Sequence, residues 1–247
     1  MRMKATWLPV IAAPVLMLGI MTAAPGAAAA KGVINNPNWA GYAAVVKPGG
    51  AVTSFKLVQA TFTVPALNCT STPNGDAWQL VTLGGQNNPN NPNNQAYLQE
   101  SCKNGSPSYA AFGDSGCNGH GGQAPLTISP GDTVKLVVSG NALISVYDLT
   151  TNESAVGFVQ STTCGDNPIA GVLTSGSQNV ADFTQVGFRQ IQVQGSSQKS
   201  PRPLASSAWN LAHYVLRGPS GRTDIKPEAL LSGTYTSAFA NDWLSPN

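Results

Sequence analysis

"TISPGDTVKLVVSGNALISVYDL", residues 127–149, alternates apolar and polar side chains on both sides of "SGNA" and begins on "SPGDT". Period two in Val, Ile, Thr and aromatics marks strands with one face in a core, and clusters of Gly, Asn, Pro and Asp are tight-turn chemistry. Residues 126–148 are therefore expected to form a hairpin or meander. The pattern recurs in "NWAGYAAVV" (38–46), "FKLVQATFTV" (55–64) and "FRQIQVQG" (188–195). "LASSAWNLAHYVL" (204–216) is the only helix candidate, and its β-branched, aromatic end suits a strand equally well. An all-β chain is the expectation.

Composition agrees. Only 10% of the 247 residues are charged, while 26 are Gly and 18 Pro, as in turn-rich secreted β-proteins. Arg2 and Lys4 precede the apolar "TWLPVIAAPVLMLGIMTAAP", and small residues at Ala28 and Ala30 suit cleavage before Lys31. Residues 1–30 therefore read as a secretory signal peptide. A retained membrane anchor is the weaker alternative, because Pro9 and Pro14 interrupt a run that needs about 20 residues to span. Losing Arg2 and Lys4 brings the 13 basic groups level with the 11 acidic ones. Without a basic stripe the chain lacks a nucleic-acid footprint. Residues 31–247 are expected to form one secreted domain, a large sandwich or barrel, monomeric and without a cofactor.

The four cysteines, Cys69, Cys102, Cys117 and Cys164, suggest two disulfides in an exported chain. Three pairings are possible. The expectation is Cys102 with Cys117, closing a short loop, and Cys69 with Cys164. With no CxxC and only His120 and His213, a metal site is not expected. "GGQNNPNNPNN" (84–94) is expected to stay out of a sheet interior, as a loop or as a flap over a cleft. "SSQKSPRP" (196–203) reads as a connector.

"GDSGC" (113–117) looks like a serine nucleophile loop, but that chemistry needs a His base, and both histidines follow Ser115 rather than preceding it. No GxSxG occurs. Paired carboxylates for glycoside hydrolysis are scarce, since the only glutamates are Glu100, Glu153 and Glu228.

The order of segments is more specific. "NPNWAGYAAVV", "VQATFTVPAL", "DAWQLVTLGG", "AYLQES", "TISPGDTVKLVV", "SVYDLTTNES" and "VADFTQVGFRQIQV" follow one another, with a looser "ALLSGTYTSAF" near the C-terminus. This series resembles the glutamic peptidase family, the eqolisins, over nearly all of residues 31–247. The resemblance implies two large antiparallel sheets in a concanavalin-like, eqolisin-type β-sandwich with a concave cleft. It also implies proteolysis at acid pH by a Gln and a Glu. There the Glu acts as general base on water, and the Gln amide positions that water and hydrogen-bonds the oxyanion. Gln99 matches the family's glutamine, while Trp39 and Trp78 match its cleft tryptophans.

Three cleft motifs depart from the family. The catalytic Glu should stand in an "AEWIxE" strand, and "CGDNPIAGVLTSG" (164–176) is found instead. Gly171 replaces the first Glu, and Ser175, or Thr174 in a slipped register, replaces the catalytic one. A Trp-Glu pair is replaced by "SYAAFGD" (108–114), and an Asp is missing from "WQLVTLGG" (78–85). Since neighbours on a strand face opposite ways, Glu100 is expected to point away from Gln99. Asp182 and Asp114 are the other acids that could reach the cleft. A catalytically impaired homologue binding peptide or glycan through Trp39, Trp78, Tyr97 and Gln99 is the favoured expectation. An active acid endopeptidase using Gln99 and an unrecognised carboxylate is the alternative.

Overall fold

The period-two runs become strands because each can bury one face. In the computed structural model Val134, Leu136 and Val138 are buried, while the residues between them are partly exposed. The structure describes residues 32–84, 93–115, 120–140, 143–158, 168–176, 179–218, 220–234 and 236–244. The expected signal peptide, the Asn/Pro run at 85–92, Cys117 and Cys164 lie outside the described residues. Among the described residues there is no helix.

Hydrogen-bonded pairing lays out two layers. The first sheet runs β1 (Val33–Asn36), β14 (Asn210–Arg217), β2 (Trp39–Val45), β11 (Ile169–Gly176), β4 (Asp76–Gly84), β5 (Asn93–Lys103), β6 (Ser106–Ser115) and β7 (His120–Gln123). The second runs β17 (Ser237–Trp243), β12 (Gln185–Gly195), β3 (Phe55–Thr63), β8 (Thr133–Ser139), β9 (Leu143–Asp148) and β10 (Glu153–Phe158). Short β13 (Arg202–Pro203) lies beside β12, and β16 (Leu231–Ser232) lies beside β17. β15 (Thr223–Pro227) pairs with both β14 and β17 and so joins the layers along one edge. Among the named strands of the described residues, pairing is antiparallel except between β1 and β14.

β3 and β8 pack across β4, β5 and β11. The main core lies between the sheets, with Val58, Phe62, Leu136, Val81, Leu98, Val172 and Phe188 among its buried members. Phe188 touches both Phe62 and Phe239 at ring-centroid distances of 5.5 and 5.2 Å. This is the all-β sandwich expected from the sequence.

The helix candidate resolves as a turn followed by a strand. The Trp209 indole N–H donates to the Leu204 carbonyl at 2.7 Å, with the ring fully buried edge-on to Phe55, and Asn210–Arg217 then enters the sheet as β14. Asn94 is a correction of another kind. It pairs with Leu83 and Ser115 inside the sheet, so the end of the Asn-rich run does enter the ladder.

The expected disulfide pairing is also corrected: Cys69 is bonded to Cys102, with a Cα–Cα distance of 5.4 Å. Strand register explains it. Cys102 lies opposite Pro107 at one end of the β5–β6 ladder, and Ser115, two residues before Cys117, lies at the other end opposite Asn94. Eight residues of extended chain span about 26 Å. Cys102 instead donates its backbone N–H to Gly75, beside the loop that carries Cys69 into β4. A disulfide is consistent with an oxidising compartment.

Candidate active site

Residues directly opposite one another in a ladder share a face. Trp39 pairs with Ser175, Ser175 with Trp78, Trp78 with Gln99, and Gln99 with Ala110. One row across β2, β11, β4, β5 and β6 therefore reads Trp, Ser, Trp, Gln, Ala on the outer face of the first sheet. Two residues along, the next row holds Gly41, Leu173, Leu80, Tyr97 and Phe112. Trp39, Leu80 and Leu173 form a second apolar cluster on this face, packed by Trp78, Tyr97 and Tyr214. Trp78 stacks on Tyr97 at 5.6 Å and Tyr97 on Phe112 at 5.2 Å. The indole N–H groups of Trp39 and Trp78 are buried without a hydrogen-bond partner.

The register separates Ser175 from Thr174. Ser175 shares its row with Gln99, one strand apart, which sets the two backbones about 10 Å from each other. Thr174 faces the core, where its hydroxyl donates to Gln79 Oε1 at 2.6 Å and accepts from Asn241 Nδ2 at 2.7 Å. Gly171 lies on the Ser175 face, but a Cβ there would meet Leu173 Cδ1 and Thr82 Cγ2 at 3.2 Å. Leu173 and Thr82 thus fill the space beside Gly171 on this face.

The acids divide by strand parity. Glu100 points into the core, fully buried, with Oε2 accepting from Gln79 Nε2 at 3.1 Å and Oε1 without a partner. Burial pushes its carboxyl up to about 8, against a smaller opposing effect of the Gln79 hydrogen bond. Asp182 is taken up by a loop clasp, accepting from Asn68 Nδ2, Ser71 Oγ and the Thr184 backbone N–H. Asp114 is on the same outer face but opposite Gln95, four residues from Gln99 and so about 13 Å along the strand. Gln95 Nε2 donates to it at 3.4 Å. Ser115 of "GDSGC" is buried on the opposite face, its hydroxyl without a partner.

No motif in the sequence marks Asp76. It stands two residues before Trp78 on the same face and opposite Ser101, diagonal to both Gln99 and Ser175. Diagonal neighbours lie about 7–8 Å apart, within reach of long side chains or a bridging water. The signal was "DAW" read at period two. What hid it was the pairing of Trp78 with Gln99 across the Asn/Pro run, which sequence does not supply.

A two-sheet β-sandwich with an outer-face row of tryptophans, serine and glutamine defines the class. The family model described as the Peptidase A4 family matches residues 37–213, and the chain belongs to that family. This bears out the resemblance to the eqolisins. No curated protein sequence matches the chain. Among solved structures, the chain is similar to scytalido-glutamic peptidase with a transition state analog inhibitor, at a TM-score of 0.65 and 17% identity, covering 85% of this chain and 99% of that one. SCP-B, a member of the eqolisin family in a complex with the tripeptide Ala-Ile-His, matches at 0.63 and 17% identity over the same shares. Aspergilloglutamic peptidase from Aspergillus niger matches at 0.54 and 16%, covering 68% of this chain and 99% of that one. At these identities the likeness speaks to the fold.

Proposed function

We propose that this chain is a secreted, single-domain eqolisin homologue whose cleft binds extended peptide through Trp39, Trp78, Tyr97 and Gln99 but hydrolyses it poorly. The observation that carries this is Ser175 in the Trp39–Ser175–Trp78–Gln99 row, where the family's chemistry needs a carboxylate. A serine hydroxyl cannot take a proton from water at acid pH. Losing a general base lowers turnover by about 10²- to 10⁴-fold. Gln99 keeps the amide half of the site, able to hold a carbonyl oxygen or a water, and the apolar row beside it offers a surface for side chains. The disulfide and the reading of residues 1–30 support secretion.

Casein incubated with the purified protein at about pH 3 to 4, where a carboxylate base is partly ionised, tests this reading. Slow or undetectable cleavage is expected, together with binding of unstructured peptide that Gln99→Ala weakens. Binding of a neutral glycan in place of peptide would reassign the ligand class.

The position of Asp76 favours a second reading, in which the chain is an acid endopeptidase with Asp76 as base, acting through a water held by Gln99. Efficient casein cleavage, abolished by Asp76→Asn and by Gln99→Ala, would establish it and remove the impaired reading.

A further inference from the structure

At the end of the sandwich away from Trp39, the 46–54 loop and the 196–208 segment enclose a groove of about 730 Å³ lined by Lys47, Lys199 and Arg202. β2 separates the two places: the seven residues from Trp39 to Val45 span about 20 Å. Three of the chain's 13 Lys and Arg side chains line this one groove, and no acidic side chain among the described residues does. Ser197, Ser200 and Ser207 add hydroxyls to the same lining.

The walls are fixed by bonds of their own. Gly50 N–H donates to Lys47 O, and Ser196 N–H to Ser54 O. On the far wall Gln198 closes a turn, its Oε1 accepting from Gly195 N–H while its carbonyl accepts from Gln194 Nε2. The floor is Val52, packed so closely on Gly195 that a Cβ there would lie 2.6 Å from Val52 Cγ1.

We infer that this groove binds a sugar unit carrying a sulfate or phosphate ester. Arg202 presents a planar fork suited to two ester oxygens, and Lys47 and Lys199 supply point charges without local competition from carboxylates. The volume lies in the range of small-molecule sites, larger than a free oxyanion needs, and the serine hydroxyls suit the remaining sugar hydroxyls. This inference is independent of the cleft and of whether the cleft hydrolyses peptide.

Calorimetric titration at low ionic strength with glucose 6-sulfate, glucose 6-phosphate, glucose and inorganic phosphate is the test. Both esters are expected to bind, more weakly as salt is raised, and glucose is not. The Lys199→Ala/Arg202→Ala variant is expected to bind the esters at least about tenfold more weakly at an unchanged melting temperature. Should that variant not fold, Arg202→Gln alone serves in its place. Absence of ester binding, or equal binding by the variant, overturns the site. Inorganic phosphate binding as tightly as the esters overturns its assignment to a saccharide.

Discussion

A carboxyl group with no exposure, one oxygen held by Gln79 and the other unpartnered, is compatible with the core only while it carries its proton. Glu100 has no cation among its hydrogen-bond partners, and its pKa stands at about 8 against an ordinary 4.5. In the unfolded chain the group ionises from about 4.5 upward, whereas in the fold it keeps its proton until about 8. The unfolded state therefore binds fewer protons across that window, and stability falls as pH rises through it. Below the window the contribution is fully present; above it the loss is complete. Glu100→Gln keeps the hydrogen-bonding shape without the titration. Melting temperature followed from pH 4 to 9 is expected to fall less steeply for that variant, with near equality at the acid end and a clear gain at the alkaline end. Identical pH profiles would contradict the placement of Glu100. That Gln99 and Glu100 face opposite ways followed from strand parity alone, whereas the hydrogen bond to Gln79 did not, because it requires β4 beside β5 in a known register.

Strands and their ladders decide the rest of the site. The alternation of residues 133–139 and 143–148 was visible as strands because each side chain's environment repeats every second residue. Asn210–Arg217 was ambiguous, since aromatic and β-branched residues fit either structure until β2 is placed beside it. Cysteine pairing is hidden from the sequence for the same reason: loop length favours nearby residues, but the β5–β6 ladder carries Cys102 and Ser115 to opposite ends. The Cys69–Cys102 bond closes 33 residues, which in the chain-entropy view stabilises by about 3–4 kcal/mol. Cys69→Ser with Cys102→Ser is expected to reduce the unfolding free energy in urea by up to that amount. A variant as stable as the parent would mean that the bond merely decorates a loop already held by the Asn68–Asp182 clasp.

At the scale of the molecule, two sheets packed on Phe62, Phe188, Leu136 and Val172 hold the outer face of the first sheet in a fixed register. This frame is what the family match and the structural likeness share, and it survives at 17% identity because burial and alternation tolerate hydrophobic exchange. The cleft does not have that tolerance. On the reading proposed above, a Ser in place of a Glu at one position in the row leaves the packing of the sandwich intact and removes the group that activates water. The anion groove lies at the opposite end, so binding there and chemistry in the cleft are separable by mutation. The central claim is that Ser175 occupies the place of the missing base, and Ser175→Glu tests it most directly. Assayed on casein at about pH 3 to 4, the variant is expected to exceed the parent by about 10²-fold or more, with the gain abolished when Gln99→Ala is added. A parent that already cleaves as fast as the folded Ser175→Glu variant, with both losing activity on Asp76→Asn, would contradict it.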